Sequence, residues 1–480
     1  MSWPFGKKKA GTKVPTSVKD TPIDTKGRRI FAIRDGKPLY APPGHSLTLA
    51  ANGAGKTTSM LMPSLFSLLA SEDRPCVIAM DGKNGEIAAQ SAPMIADMGI
   101  PVAVIDDMGV FPEDYPYRVM INPISALMDA FHQSPMEVSF ATENVNHALI
   151  MDPAGGPDRN QFFREGPRAL LEFAWHTIST RTPHLAGPGS VWSLIANPDL
   201  LRQSAELEDE TGEGMVQVLA KNVLAIMETE YFPMHRQAAL TALRIFGMGS
   251  HLHTAGVGAE ATHFDLIQQR AVIFMVGPQR YMTRLSSYFS LHLQSFLDAL
   301  YRGAGPVTFL NDEFSNTPLK SFVDALTTIR GFGGEAHNIA QSLSEIEKKF
   351  GKLEAQTIQD NAVFKLWLGF ASPDAAKPVS EAMGESLVVQ HGLNVDHQNV
   401  AKMGSGLSLG RQRWMSPAEL MALPPDKVLW WAKGVGFGVD DRIRQNEIAP
   451  FCYQLAPNPI EGGVLPPNPK ITLKLPQGDM

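Results

Sequence analysis

The segment Ala50-Ala51-Asn52-Gly53-Ala54-Gly55-Lys56-Thr57 places the residue types of a phosphate-binding loop in the order G-x-x-x-x-G-K-[ST], with Ala50 where the first glycine would stand. Gly53 and Gly55 let the backbone turn its N–H groups around a β-phosphate, with Asn52, Ala54 and Thr58 as further cradle residues. A helix starting at Lys56 aims the positive end of its dipole at the same anion. In that setting Lys56 bridges β- and γ-phosphate oxygens and Thr57 ligates Mg²⁺, so ATP and Mg²⁺ are the expected cofactors. Chance G-K-T triplets are common, and an ordinary glycine turn before a helix reads similarly. Here a strand precedes the loop and a helix follows it, which is the context the mechanism requires.

A second acidic element lies far downstream. Pro306 to Leu310 is an apolar strand that runs through Asn311 into Asp312-Glu313. In ATPases on this plan the first acid, Asp312, orients the Mg²⁺ shell and the second, Glu313, accepts a hydrogen bond from the attacking water. Alone, the pair reads equally well as a surface turn. Arg330, in Ile329-Arg330-Gly331-Phe332-Gly333-Gly334, can reach a neighbouring subunit's phosphate from an exposed loop, and Gln341 closes the next strand where it can sense that phosphate. Spacing alone favours a solvated arginine and a helix-capping glutamine over those roles.

The elements that must position these residues follow from hydrophobic period. Strands are expected at Arg29 to Ile33, Ser46 to Leu49, Cys76 to Met80 and Val102 to Ile105. They are expected again at Ala271 to Val276, Val307 to Leu310, Ala336 to Ala340, Val363 to Leu368 and Val428 to Trp431. Helices are expected at Lys56 to Leu69, Gly85 to Met98, Thr283 to Tyr301, Leu319 to Arg330, Ser342 to Phe350 and Ala375 to Met383. From Leu127 to Thr262 the β-branched runs vanish and helical patterns replace them, as in Phe163 to Ser179, Gly214 to Thr229 and His235 to Phe246. Phe162, Phe163 and Trp175 fall at helical spacing and read as core rather than as a stacking platform.

The 480 residues suffice for about two to three domains, and 44% hydrophobic with 19% charged residues excludes wholesale disorder. A formal net charge of −7 excludes a polycation, so nucleic-acid contact needs a local basic surface; Lys7 to Lys9 and Lys348, Lys349 and Lys352 are the candidates. Cys76 and Cys452 offer no disulfide framework or zinc pattern. No run approaches the roughly 20 apolar residues of a spanning helix, which reads as a chain without a transmembrane segment.

In order along the chain, these blocks resemble the type IV coupling proteins, the TraG/TraD-type ATPases of bacterial conjugation and type IV secretion. Asp81-Gly82-Lys83-Asn84-Gly85-Glu86 resembles the family's Asp-Pro-Lys-Gly-Glu block, and Asn122-Pro123 its Asn-Pro pair. Leu310 to Phe314 resembles Leu-Asp-Glu-Phe, with Asn311 in place of an apolar residue. Arg330-Gly331-Phe332-Gly333 and Gln341 to Ile346 resemble the Arg-Gly-x-Gly and Gln-Ser blocks. Phe350-Gly351-Lys352 and Ser380 to Gly384 match later positions.

The resemblance implies an α/β fold: a RecA-like P-loop NTPase domain with a mainly parallel central sheet, interrupted by an inserted all-α domain. The expected division is a flexible basic arm at 1–20, nucleotide-binding parts at 21–126 and 265–450, the all-α insertion at 127–264, and a Pro-rich extended tail at 451–480. It implies Arg330 as an arginine finger and Gln341 as a sensor. It further implies ATP hydrolysis that links single- or double-stranded DNA, with relaxosome or effector proteins, to a type IV secretion channel. The expected assembly is a homo-oligomer, a hexamer when active, with a monomer in solution also open. The expected location is the bacterial cytoplasm, peripheral to the inner membrane. The alternative is a nucleotide-switched adaptor that recruits substrate with little turnover.

Overall fold

The short apolar runs pair into a single large sheet. In the computed structural model, which describes residues 29–152, 161–259, 261–316, 320–395, 403–457 and 465–475, the strands come in chain order as follows. They are β1 (Ile30–Arg34), β2 (Lys37–Tyr40), β3 (Ser46–Leu49), β4 (Cys76–Asp81), β5 (Val102–Ile105), β6 (Val272–Val276), β7 (Val307–Asn311), β8 (Gly334–Ala340) and β9 (Phe364–Trp367). A separate hairpin, β10 (Glu385–Val395) with β11 (Met403–Arg413), precedes β12 (Lys427–Ala432) and β13 (Gly436–Arg442). The 11-stranded order is β2-β1-β13-β12-β9-β3-β8-β7-β4-β6-β5. From β9 through β5 every pairing is parallel, and from β9 back to β2 every pairing is antiparallel.

Parallel strands need cover on both faces, and the alternation along β4 shows it. Val77 and Ala79 face one core, with α1 (Met62–Leu69) and α2 (Glu86–Asp97). Cys76, Ile78 and Met80 face the other, which merges with the core of the helical block. That block comprises α3 (Ser125–Ala130), α4 (Pro135–Leu149), α5 (Gln161–Arg181), α6 (Pro188–Ala196), α7 (Pro198–Thr211), α8 (Met215–Met227), α9 (Phe232–Ala242) and α10 (His263–Gln268). The sheet-side helices then continue as α11 (Ser286–Tyr301), α12 (Lys320–Ala325), α13 (Leu343–Phe350), α14 (Lys352–Asn361) and α15 (Pro373–Met383).

Helix starts in the block are set by chemistry at their first turns. Ser134 and Asn197 accept from backbone N–H groups ahead of Pro135 and Pro198, and Thr262 forms a reciprocal capping box with Asp265. The block joins the sheet layer through a buried polar chain. Ser125 meets His263 at 2.5 Å and His263 meets His292 of α11 at 2.9 Å. Burial holds both imidazoles neutral, pushing His292 down to about 3.

Three expectations need correction. Trp175 is core at 1% exposure, but Phe162 and Phe163 are 54% and 45% exposed. They sit in the first turn of α5 and cluster with Tyr231 and His235 instead of entering the core. The helix expected over Leu319 to Arg330 is the shorter α12, and a 3₁₀ turn at Ile329–Phe332 ends at Gly333 with φ +83°. The tail is not simply extended: β14 (Ile448–Ala449) pairs with β15 (Ile471–Thr472), and the Phe451 ring stacks on Phe66 of α1 at 4.6 Å. Those apolar residues outweigh the prolines around them. The arm at 1–20 lies outside the described residues.

Candidate nucleotide site

The carboxyl ends of β3, β8, β7 and β4, neighbours in that order, open on one pocket, as ligand sites in open α/β sheets do. The loop after β3 supplies Asn52, Gly53, Gly55, Lys56, Thr57 and Thr58 to its lining. Gly53 and Gly55 take φ of +74° and +75°, a region that costs other residues strain. Ala50 is not among the positive-φ residues and is buried, so the missing first glycine leaves no strain. After the loop a π-type turn, Thr57–Leu61, runs directly into α1.

The acidic pair is brought to the loop. Lys56 Nζ lies 2.9 Å from Glu313 Oε1, and Gln341 Nε2 donates to Glu313 Oε2 at 3.0 Å. Burial alone would raise the Glu313 carboxyl. The Lys56 bond and charge, the Gln341 bond and the Lys83 charge bring it below its usual range, so it is an ionised acceptor near neutrality. Glu313 holds φ +52°, a left-handed conformation uncommon outside glycine, at the point where its side chain enters the pocket. Asn311, two residues earlier at the end of β7, is explained by its neighbour: its Nδ2 donates to Asn338 Oδ1 of β8 at 2.9 Å.

Asp312 is almost fully buried, and its Oδ2 lies 3.1 Å from Lys83 Nζ. The same ammonium donates to Thr57 Oγ1 at 3.2 Å. Thr57 and Asp312 therefore direct their oxygens at one point, and a hydroxyl with one carboxylate suits Mg²⁺ that completes its shell with phosphate and water. Next to this pair, burial pushes the Asp81 carboxyl up to about 7, with the Ala88 N–H pulling it down and Glu86 and Asp312 adding to the rise.

Two expected residues stand elsewhere. Ala54 does not line the pocket: its N–H donates to Ala51 and its carbonyl turns away to Arg442. Arg330 is exposed at the entry end of β8, near Gly44 and His45, whereas Gln341 lies at the exit end. Seven residues of strand separate the two, about 20 Å, so Arg330 does not reach the pocket of its own chain.

Arg442, at the end of β13, was not legible in the sequence. Its guanidinium donates to the carbonyls of Ala54 and Gly55 and, at 2.7 Å, to Ser59 Oγ. A Cβ on Gly55 would collide with it. By holding these carbonyls outward, Arg442 keeps the opposite side of the loop free to present N–H groups. Arg442→Ala is expected to weaken nucleotide binding about ten-fold while preserving the melting transition, and Arg442→Lys, with no fork of donors, to restore it only in part. Fluorescence titration with a labelled ATP analogue checks both.

Residues 306–425, from β7 to just before β12, match the family model described as the TraM recognition site of TraD and TraG. The chain is 24% identical over 350 residues to protein VirD4 of Rhizobium rhizogenes, covering 71% of this chain and 49% of that protein. It is likewise 24% identical over 350 residues to VirD4 of Agrobacterium fabrum strain C58, again with 71% and 49% covered. The match thus spans about half the length of these curated relatives. Among solved structures, the bacterial conjugative coupling protein TrwBdeltaN70 in its unbound form superposes with a TM-score of 0.59 at 16% identity, covering 87% of this chain and 89% of that one. TrwB in complex with the ATP analogue ADPNP gives 0.58 at 16% identity, with 83% and 84% covered, and TrwB with ADP and Mg²⁺ gives 0.57 at 16% identity, with 83% and 84%. The α/β fold, a RecA-like P-loop sheet combined with an all-α region, is shared with these neighbours. Motifs, family model and relatives agree with the fold: the chain is similar to the type IV coupling proteins.

Proposed function

We propose that the protein is a Mg²⁺-dependent ATPase of the coupling type, which links DNA, protein or both to a type IV secretion or conjugation channel and drives their transfer. The observation that carries this reading is the 2.9 Å contact between Lys56 of the phosphate loop and Glu313 at the end of β7. It joins the anion cradle to a carboxylate able to activate water. The relatives named VirD4 and the nucleotide complexes of TrwB support the same direction.

In this reading Lys56 leaves Glu313 for the β- and γ-phosphate oxygens when ATP binds. Glu313, ionised, then orients the attacking water and accepts its hydrogen bond. Mg²⁺ held by Thr57 and Asp312 would neutralise the developing phosphate charge. Gln341, bonded to Glu313, ties the state of the phosphate to β8 and to α13 beyond it. The nucleotide-binding parts are 21–126 and 265–450, with the helical insertion at 127–264.

Arg330, exposed and far from its own pocket, fits a finger that serves a neighbouring subunit in a ring, a hexamer by the family's pattern. A relaxosome or effector protein is the proposed partner, supported by the family-model match over 306–425. Lys348 and Lys349 close α13 and, with Lys352, are exposed and available to a nucleic-acid backbone. Among the described residues no helix is long and apolar enough to cross a membrane, and the proposed site of action is the cytoplasmic face of the inner membrane.

The test is ATPase rate against protein concentration, with and without DNA. The proposal expects specific activity to rise steeply with concentration, to increase with DNA and to be lost in Arg330→Ala. Mixed assemblies of Arg330→Ala and Lys56→Ala chains should regain part of the activity. A slow rate indifferent to concentration and DNA would fit the nucleotide-switched adaptor instead.

A further inference from the structure

Lys83 belongs to a block matched by family resemblance, yet no role follows from that match. Its position gives one. The ammonium bridges Asp312 Oδ2 at 3.1 Å and Thr57 Oγ1 at 3.2 Å, the two oxygens assigned above to the metal. A lysine ammonium and a divalent cation cannot occupy that point together. Mg²⁺ takes oxygen ligands at about 2.0–2.1 Å in an octahedron and leaves no room for a second cation between them.

The turn that carries Lys83 is held in place. Asn84 N–H donates to Gly277 O at 3.2 Å, and Asn84 Oδ1 accepts from Gln279 N–H at 2.9 Å. A Cβ on Gly82 would meet the Met282 methyl at 2.7 Å, and Asn84 and Gly85 both take positive φ. With the backbone fixed, exchange at the metal point must come from the side chain, a flexible four-carbon stem that is 23% exposed to the pocket. The pocket offers it other anions, Glu86 and Glu345 among them.

We propose that Lys83 is an internal counter-ion that competes with Mg²⁺ for Thr57 and Asp312, yields that position when the metal enters with nucleotide, and neutralises the site for metal-free nucleotide. This rests on the ATPase reading of the pocket. It makes Lys83 a positioning residue that sets how much Mg²⁺ the site requires.

The test is equilibrium binding of a fluorescent ADP by the full chain across a Mg²⁺ series, from EDTA upward, for wild type, Lys83→Met and Lys83→Arg. Lys83→Met is expected to lower the half-saturating Mg²⁺ about five-fold. It is also expected to weaken metal-free ADP binding about five-fold, because the cation that faced the phosphates is gone. Lys83→Arg, which keeps the charge, is expected to stay near wild type. A half-saturating Mg²⁺ that is unchanged or raised in Lys83→Met, while wild type binds ADP in a Mg²⁺-dependent way, overturns the proposal and leaves the ATPase reading intact. No ADP binding by wild type at any Mg²⁺ concentration overturns both.

Discussion

Glu313→Gln is expected to bind ATP at least as tightly as wild type and to hydrolyse it about 10²- to 10⁴-fold more slowly. The asymmetry comes from what Glu313 does in each state. Before nucleotide binds, its carboxylate holds Lys56 at 2.9 Å, so an incoming phosphate must win that ammonium away. The amide of glutamine holds it less strongly, and affinity is kept or improved. During hydrolysis, in contrast, the reaction needs an ionised acceptor for the water, and the Gln341 hydrogen bond, which does not depend on Lys56, favours that form of Glu313. Glutamine fills the same space without the charge. Phosphate release in steady state measures the rate, and labelled-nucleotide titration measures the affinity. Wild-type turnover in this variant would remove Glu313 from the mechanism.

Lys56→Ala is expected to lower ATP affinity about 10²-fold or more and to abolish turnover at any accessible ATP concentration. Lys56 is only 5% exposed, and its ammonium faces a carboxylate in the pocket. Removal deletes the charge that meets the phosphates and also leaves Glu313 partly buried with one partner fewer, so repulsion of the triphosphate rises. Lys56→Ala/Glu313→Gln separates the two effects. If most of the loss is anion repulsion, the double variant regains affinity over Lys56→Ala; if it is loss of the direct contact, it does not. A thermal melt of each variant shows whether the fold is retained.

Much of the fold was open to reading because parallel strands are buried on both faces. Runs such as Ala271 to Val276 and Val307 to Leu310 have no sustained polar alternation to confuse with surface, and they are β6 and β7. The phosphate loop and the acidic pair were legible for another reason: each sits at a strand end, where the sheet order brings strands far apart in sequence side by side. β13 was not legible. Gly436, Gly438, Asp440 and Asp441 contradict strand propensity, and Gly438 is there because the Trp430 ring of β12 lies over it. Its Asp440 is satisfied by Arg34 and Trp430, partners 406 and 10 residues away.

The same limit hid Arg442, whose contact with Gly55 spans 387 residues and has no local signature. Lys83 was named but not understood, since a lysine in a glycine turn gives no sign of which carboxylate it will meet. Arg330 is the opposite case. Its place before β8 and that of Gln341 after it already set them at opposite ends of one strand. The phenylalanines of α5 misled because helical spacing says which residues share a face and not whether anything covers it.

The central claim is that the loop around Gly55 and the acidic pair after β7 serve one Mg²⁺-bound triphosphate. The most direct measurement is a calorimetric titration of the full chain with Mg²⁺·ATP, comparing wild type with Lys56→Ala and Asp312→Asn. The account predicts one saturable site per chain, weakened by each substitution, with Asp312→Asn losing its effect when Mg²⁺ is replaced by EDTA. Absence of saturable binding, or a site that neither substitution disturbs, would contradict it.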